Sequence, residues 1–171
     1  MRLLTIWYGA NDACLPHSHQ HVPLDKFTEN LSTLVQMVTS PTSSWYSPVT
    51  KIVLITPPPF NPSQWNAKHK SEKDDRTPEN TAKYAQAVRD VGVKENVPVV
   101  DMFSAIMDAT HEQEKELERY LSDGLHLTAE GYTVSSRQIR YRWSTILTHI
   151  LACLQLVGWY DQEGIPRSSL R

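Results

Sequence analysis

Cysteine and glycine are scarce in this chain of 171 residues, with two of the first and six of the second. Cys14 and Cys153 lie far apart and show no metal-ligand spacing. They exclude a disulfide-stapled secreted scaffold and suit a pair of buried thiols in a reducing compartment. A dominant sign of charge is lacking too. With 17 basic and 19 acidic residues the formal net charge is -2, which gives no electrostatic reason to expect nucleic acid or an anionic membrane as partner. No apolar run reaches the length of a membrane span. The opening run Leu3 to Tyr8 is too short for a secretory leader and has no cleavage site, so a cytoplasmic location is expected. There is no internal repeat.

What is present is an alternation. Leu3 to Tyr8, almost wholly apolar and closed by Gly9, reads as a strand buried on both faces, as in a parallel sheet. Phe27, Leu31, Leu34, Val35 and Val38 give residues 23–38 one apolar helical face. Lys51 to Thr56 is a second buried strand, stopped by Pro57-Pro58-Pro59. Residues 60–75 read as a long polar loop with at most a helical turn, where Trp65 either lines a pocket or pins the loop to the core. Thr77-Pro78 is an N-cap followed by proline at the first helical position, and Tyr84, Ala85, Val88 and Val91 mark that helix's buried face. Val97 to Asp101 is a third strand, and residues 102–109 and 112–121 are short helices. From Thr128 an amphipathic helix about 40 Å long runs to Val157, with Gly158 as its cap. The order implies an α/β fold with a parallel sheet and right-handed crossovers, in one domain over 1–158 followed by a polar tail, 159–171.

Two stretches carry chemistry. Asp123-Gly124-Leu125-His126 puts a carboxylate and an imidazole three positions apart on a glycine-containing turn. A carboxylate that accepts from Nδ1–H fixes the ring's tautomer and leaves Nε2 free as a base. The plainer alternative is that Asp123 and Thr128 cap the following helix and His126 is a bystander. Gly9-Ala10-Asn11-Asp12 follows the first strand, where ligands bind in such sheets, beyond the strands' carboxyl ends. His17, His19 and His21 alternate between Pro16 and Pro23. A metal-binding protein is a third possibility there, but no Cys or carboxylate joins them at a useful spacing and a solvated loop is expected, with no metal or other cofactor.

Taken together, Gly9-Ala10-Asn11-Asp12-Ala13-Cys14, Gln20-His21-Val22-Pro23-Leu24 and Asp123-Gly124-Leu125-His126-Leu127 resemble the SGNH hydrolases, also called GDSL esterases and lipases. The wording is most similar to the isoamyl acetate-hydrolysing esterase branch. The resemblance implies a three-layer α/β/α, flavodoxin-like parallel sheet and hydrolysis of small acyl esters such as acetates. It makes His126 the general base, Asp123 its orienting carboxylate and Asn11 the oxyanion-hole amide, with Gly9 and Asp12 in supporting positions beside the substrate.

The resemblance also exposes a gap. The family's nucleophile stands in a Gly-Asp-Ser motif after its first strand, and no such motif occurs in this chain. Ser18, Ser104 and Ser122 follow no buried strand in that context. The chain fits the later two-thirds of the family, with the sheet cut to about three strands and Leu3 to Tyr8 turned from an interior strand into an edge. The expectation is therefore a truncated form (an incomplete gene model, a splice product or a decaying gene), or more rarely a chain whose missing strands and serine come from a separate polypeptide. Alone it is expected to be inactive. The competing reading is a non-catalytic interaction or regulatory remnant of the fold.

Overall fold

The computed structural model describes residues 3–69 and 75–134. Three parallel strands, β1 (Leu3–Trp7), β2 (Lys51–Ile55) and β3 (Val99–Val100), lie in the order β1-β2-β3. Leu3 faces Lys51 and Trp7 faces Ile55, while Leu54 and Ile55 face Val99 and Val100. Each crossover is helical: α1 (Leu24–Thr39) joins β1 to β2, and α2 (Pro62–Lys68) with α3 (Pro78–Lys94) joins β2 to β3. After β3 come α4 (Met102–Ala109) and a 3-10 turn, Glu114–Arg119.

Alternation along β2 builds the layers, because successive side chains point to opposite faces. Ile52 and Leu54 pack with Ile6 under Phe27, Leu31 and Val35 of α1 and Tyr84, Val88 and Val91 of α3. Val53 and Ile55 point the other way, with Val100, onto Met102 and Ile106 of α4 and Leu117, Tyr120 and Leu121. A parallel sheet covered by helices on both faces is the expected α/β arrangement. The helix starts are chemically marked. Thr77 Oγ1 accepts from Asn80 N–H at 3.1 Å, and Asp101 accepts from Ser104 N–H at 3.1 Å, each satisfying an N–H that has no partner in its helix.

The structure departs from the sequence reading in several places. β1 is not buried on both faces, since only Ile6 is fully buried and Thr5 is exposed; its pairing with β2 alone among the described residues is the edge position that the resemblance implied. The polar stretch after Phe60 contains a true helix, α2, begun by Asn61, whose side chain accepts from Gln64 N–H at 3.1 Å, with Pro62 at the first helical position. Polarity hid it, since Trp65 is its one buried residue. β3 is shorter than 97–101, and Pro98, which has no N–H, contributes only its carbonyl to Leu54 N–H. Within 112–121 only Glu114–Arg119 is helical, as a 3-10 turn instead of an α-helix. Residues 129–134 are helical; the remainder of the long amphipathic helix, its Gly158 cap and the 159–171 tail lie outside the described residues. Among the described residues no helix is long and apolar enough to cross a membrane.

Candidate active site

The first side of the site is the loop leaving β1. Gly9 has φ +110°, a left-handed backbone that suits glycine, and a Cβ there would come within 3.3 Å of both Phe27 and Pro57. Its N–H donates to Asp12 Oδ2 at 3.1 Å and its carbonyl accepts from Ala13 N–H at 3.0 Å. Asp12 thus shapes the turn. Gly9 and Asp12 build the loop from beneath, and neither is among the residues that line the cleft described below. Asn11, at the loop's crest, is exposed, and its side-chain amide takes no hydrogen bond among the described residues.

The second side is the turn 122–127. Gly124, at φ +95°, presses against the start of α2: a Cβ would stand 2.4 Å from Asn61 O and 2.8 Å from Trp65 N, and Asn61 N–H donates to Gly124 O at 2.9 Å. Leu121 and Leu127 close the turn as an antiparallel bridge, with Ser122 N–H donating to His126 O at 2.7 Å. Inside it, Asp123 Oδ1 accepts from the N–H groups of Leu125 and His126 at 2.9 and 2.8 Å, while Oδ2 stands 2.7 Å from His126 Nδ1. Burial alone would raise the Asp123 pKa. The His126 backbone N–H, the His126 ring and the Leu125 N–H outweigh it and hold the carboxyl below its ordinary value. An ionised carboxylate only accepts hydrogen bonds, so Nδ1 is the ring's donor to Asp123, and in the neutral ring the lone pair falls on Nε2.

These two sides meet. Asn11 and His126 line a common cleft of about 640 Å³ together with Trp65, His69 and Arg76. A second, smaller hollow of about 230 Å³ also includes both, and is walled by Trp7, Tyr8, Leu127 and Tyr132. His126 stands where the two hollows adjoin, with its side chain 72% exposed. Trp65 does both things its position suggested. It is buried with Phe60 and Leu125, and it lines the cleft, stacked on His69 at 3.8 Å between ring centroids.

His17 and His19 also line the larger cleft, while the His21 ring is tied by Nδ1 to Cys14 O at 2.5 Å. Among the described residues no three His, Cys, Asp or Glu side chains gather as a metal site. Burial pushes the Cys14 thiol up, so it is a poor nucleophile. Ser122 Oγ donates to His126 O at 3.1 Å, Ser104 Oγ accepts from Arg89 at 3.0 Å, and Ser18 borders the cleft with Oγ 3.4 Å from Gln20 N. Arg76, which no periodicity or motif singled out, is nearly buried at 7% exposure and borders the same cleft.

Residues 2–134 match the GDSL-like Lipase/Acylhydrolase family. Among similar proteins, a GDSL esterase/lipase of Arabidopsis thaliana is 35% identical over 153 residues, covering 81% of this chain and 60% of that protein. The isoamyl acetate-hydrolyzing esterase 1 homolog of Homo sapiens is 31% identical over 173 residues, covering 98% of this chain and 65% of that protein. Among solved structures, the lipase/acylhydrolase from Enterococcus faecalis aligns with a TM-score of 0.61 at 25% identity, over 81% of this chain and 58% of that one. The chain thus spans less than two thirds of the length of each.

Proposed function

As this chain belongs to the GDSL-like lipase/acylhydrolase family, we propose that it carries the base and oxyanion side of a carboxylic ester hydrolase site that acts on small acyl esters such as acetates. The observation that supports this is the 2.7 Å contact of His126 Nδ1 with Asp123, with the ring bordering the same cleft as the unengaged amide of Asn11. His126 Nε2 takes the proton of a serine hydroxyl as its oxygen attacks the ester carbonyl. Asn11 donates a hydrogen bond to the oxyanion that forms, and Asp123 steadies the imidazolium. On collapse the carbon–alkoxy bond breaks and His126 returns the proton to the leaving alcohol. A water then repeats the sequence on the acyl-serine.

The serine is the piece the chain does not offer. It has no Gly-Asp-Ser, and on this reading His126 and the Asn11 amide act on a hydroxyl supplied to the cleft. That same lack favours a second reading, a non-catalytic remnant that keeps the pocket and turns nothing over. The test is a chimera in which a strand segment carrying the family's Gly-Asp-Ser motif, taken from a GDSL esterase, is joined to the N-terminus of this chain. The proposal requires hydrolysis of p-nitrophenyl acetate by the chimera that His126→Ala abolishes, and no hydrolysis by the chain alone. A correctly folded chimera with no activity leaves the remnant reading standing. Fluorophosphonate labelling of Ser18 in the chain alone would displace both.

A further inference from the structure

Asn11 and His126 lie on segments far apart in sequence, so something must hold the oxyanion amide and the base in one geometry, and it is not the sheet, because both sit on loops. The structure assigns that task to Arg76: we infer that it is the positioning residue that ties the Asn11 loop to the His126 turn. The inference rests on the esterase reading for its purpose.

The contacts run in both directions from one guanidinium. Nη1 donates to Ala10 O at 3.1 Å, the carbonyl immediately before Asn11, and Nη2 donates to Gln20 Oε1 at 3.1 Å, at the far end of the same loop. Its planar group lies 4.8 Å over the Trp65 ring. Trp65 packs in turn on Leu125, the residue before His126, with Ala10 against the same cluster. Asp75 Oδ1 supplies the counter-charge 3.2 Å from Nε, without the alignment of a hydrogen bond. The neighbourhood holds the loop from the same side: Leu15 N–H donates to Asp75 O at 2.6 Å and Asn80 Nδ2 donates to Ala13 O at 2.7 Å.

Arginine suits this work for a specific reason. Its fork can bond two acceptors while its face stacks on an aromatic ring, and it stays charged when buried. A lysine has the charge but neither the fork nor the face. This one bonds the Asn11 loop directly, at the carbonyl one residue short of Asn11, and reaches the His126 turn through Trp65, which packs on Leu125.

The test reads the two ends directly on the full chain by NMR. The Asn11 side-chain amide pair is assigned by its loss in Asn11→Ser and the His126 ring signals by their loss in His126→Ala; the side-chain amide of Asn30, on the exposed face of α1, is the control. In Arg76→Lys the inference requires both the Asn11 and His126 signals to shift or broaden while Asn30 stays still. In Arg76→Ala, guanidinium ion added below denaturing concentration should return them toward the wild-type positions; if that variant does not fold, Arg76→Lys carries the test. A folded Arg76→Lys in which neither signal moves, or in which only one does, overturns the inference. Because the readout is geometric, it can fail while the chimera hydrolyses esters, and it can succeed while the chimera does not.

Discussion

The Asp123 carboxylate divides its two oxygens between the backbone and the ring of one residue: Oδ1 accepts the His126 N–H at 2.8 Å while Oδ2 stands 2.7 Å from His126 Nδ1. The side chain therefore sets both where the turn goes and which ring nitrogen carries the proton. Asp123→Asn separates these tasks. An asparagine oxygen can still take the two N–H groups, but its amide then presents a donor to Nδ1 and reverses the tautomer. In the active chimera we expect kcat to fall by about 10⁴, as in triad enzymes generally, with the melting temperature almost unchanged. Kinetics paired with a tautomer-sensitive ¹⁵N spectrum of His126 checks this; an unchanged tautomer with intact kcat removes Asp123 from the role.

Gly124→Ala probes how the turn is seated. The added Cβ would meet Asn61 O at 2.4 Å, and the residue must hold φ +95°. Neither backbone contact can swing away as a side chain would. We expect a loss of about 2 kcal/mol, or roughly 4–8 °C in melting temperature for a chain of this size. A thermal melt within about 1 °C of wild type, well below that range, would show that the turn re-seats freely.

What could be read from the sequence was what is held locally. Thr77 and Pro78 announce α3 because the cap bond spans three residues, and Asp123 and His126 pair across the same short distance. Asn61-Pro62 carried the same kind of start signal for α2, but the polar residues after it outweighed the signal. β1 read as doubly buried because apolar content alone does not reveal how many strands stand beside it; its edge position was legible only through the family resemblance. That Asn11 shares a cleft with His126 was legible only through family resemblance. Arg76 could not be found at all: its partners are a carbonyl and a glutamine from the loop after β1 and an indole from α2, and none leaves a pattern beside position 76.

Acid should loosen this fold through Asp101 as well as Asp123. Burial works to raise the Asp101 pKa, but the Arg89 fork, at 2.8 and 3.0 Å, and the Ser104 contacts draw it below the ordinary value. A depressed carboxyl contributes stability that is fully present above the unfolded-state pKa and is lost as pH falls through the folded-state one. Asp101→Asn should cost about 2 kcal/mol at neutral pH and nearly nothing once the wild-type carboxyl is protonated. Urea melts of both proteins from neutrality into the acid range check this; parallel curves with a constant gap would mean that charge is not what Asp101 contributes.

Thr5→Lys tests the strand at the sheet's margin. Among the described residues β1 is paired to β2 only, and Leu3, Leu4 and Trp7 along it are half-buried where a strand with two neighbours would be covered. Tyr8, just beyond, is 58% exposed. Leu3, Thr5 and Trp7 share the face that packs toward α4, by the alternation of a strand, and Thr5 is its exposed middle. An apolar strand with an unpaired side recruits another strand, and a lysine in its middle opposes that by having to keep its charge in water. Wild-type chain should therefore associate as its concentration rises, Thr5→Lys should shift that association to higher concentration, and Thr5→Val should shift it lower. Sedimentation velocity over a concentration series separates the three. If all of them sediment as monomers throughout, with cooperative melts, then β1 is covered in solution and the margin offers nothing to a second chain.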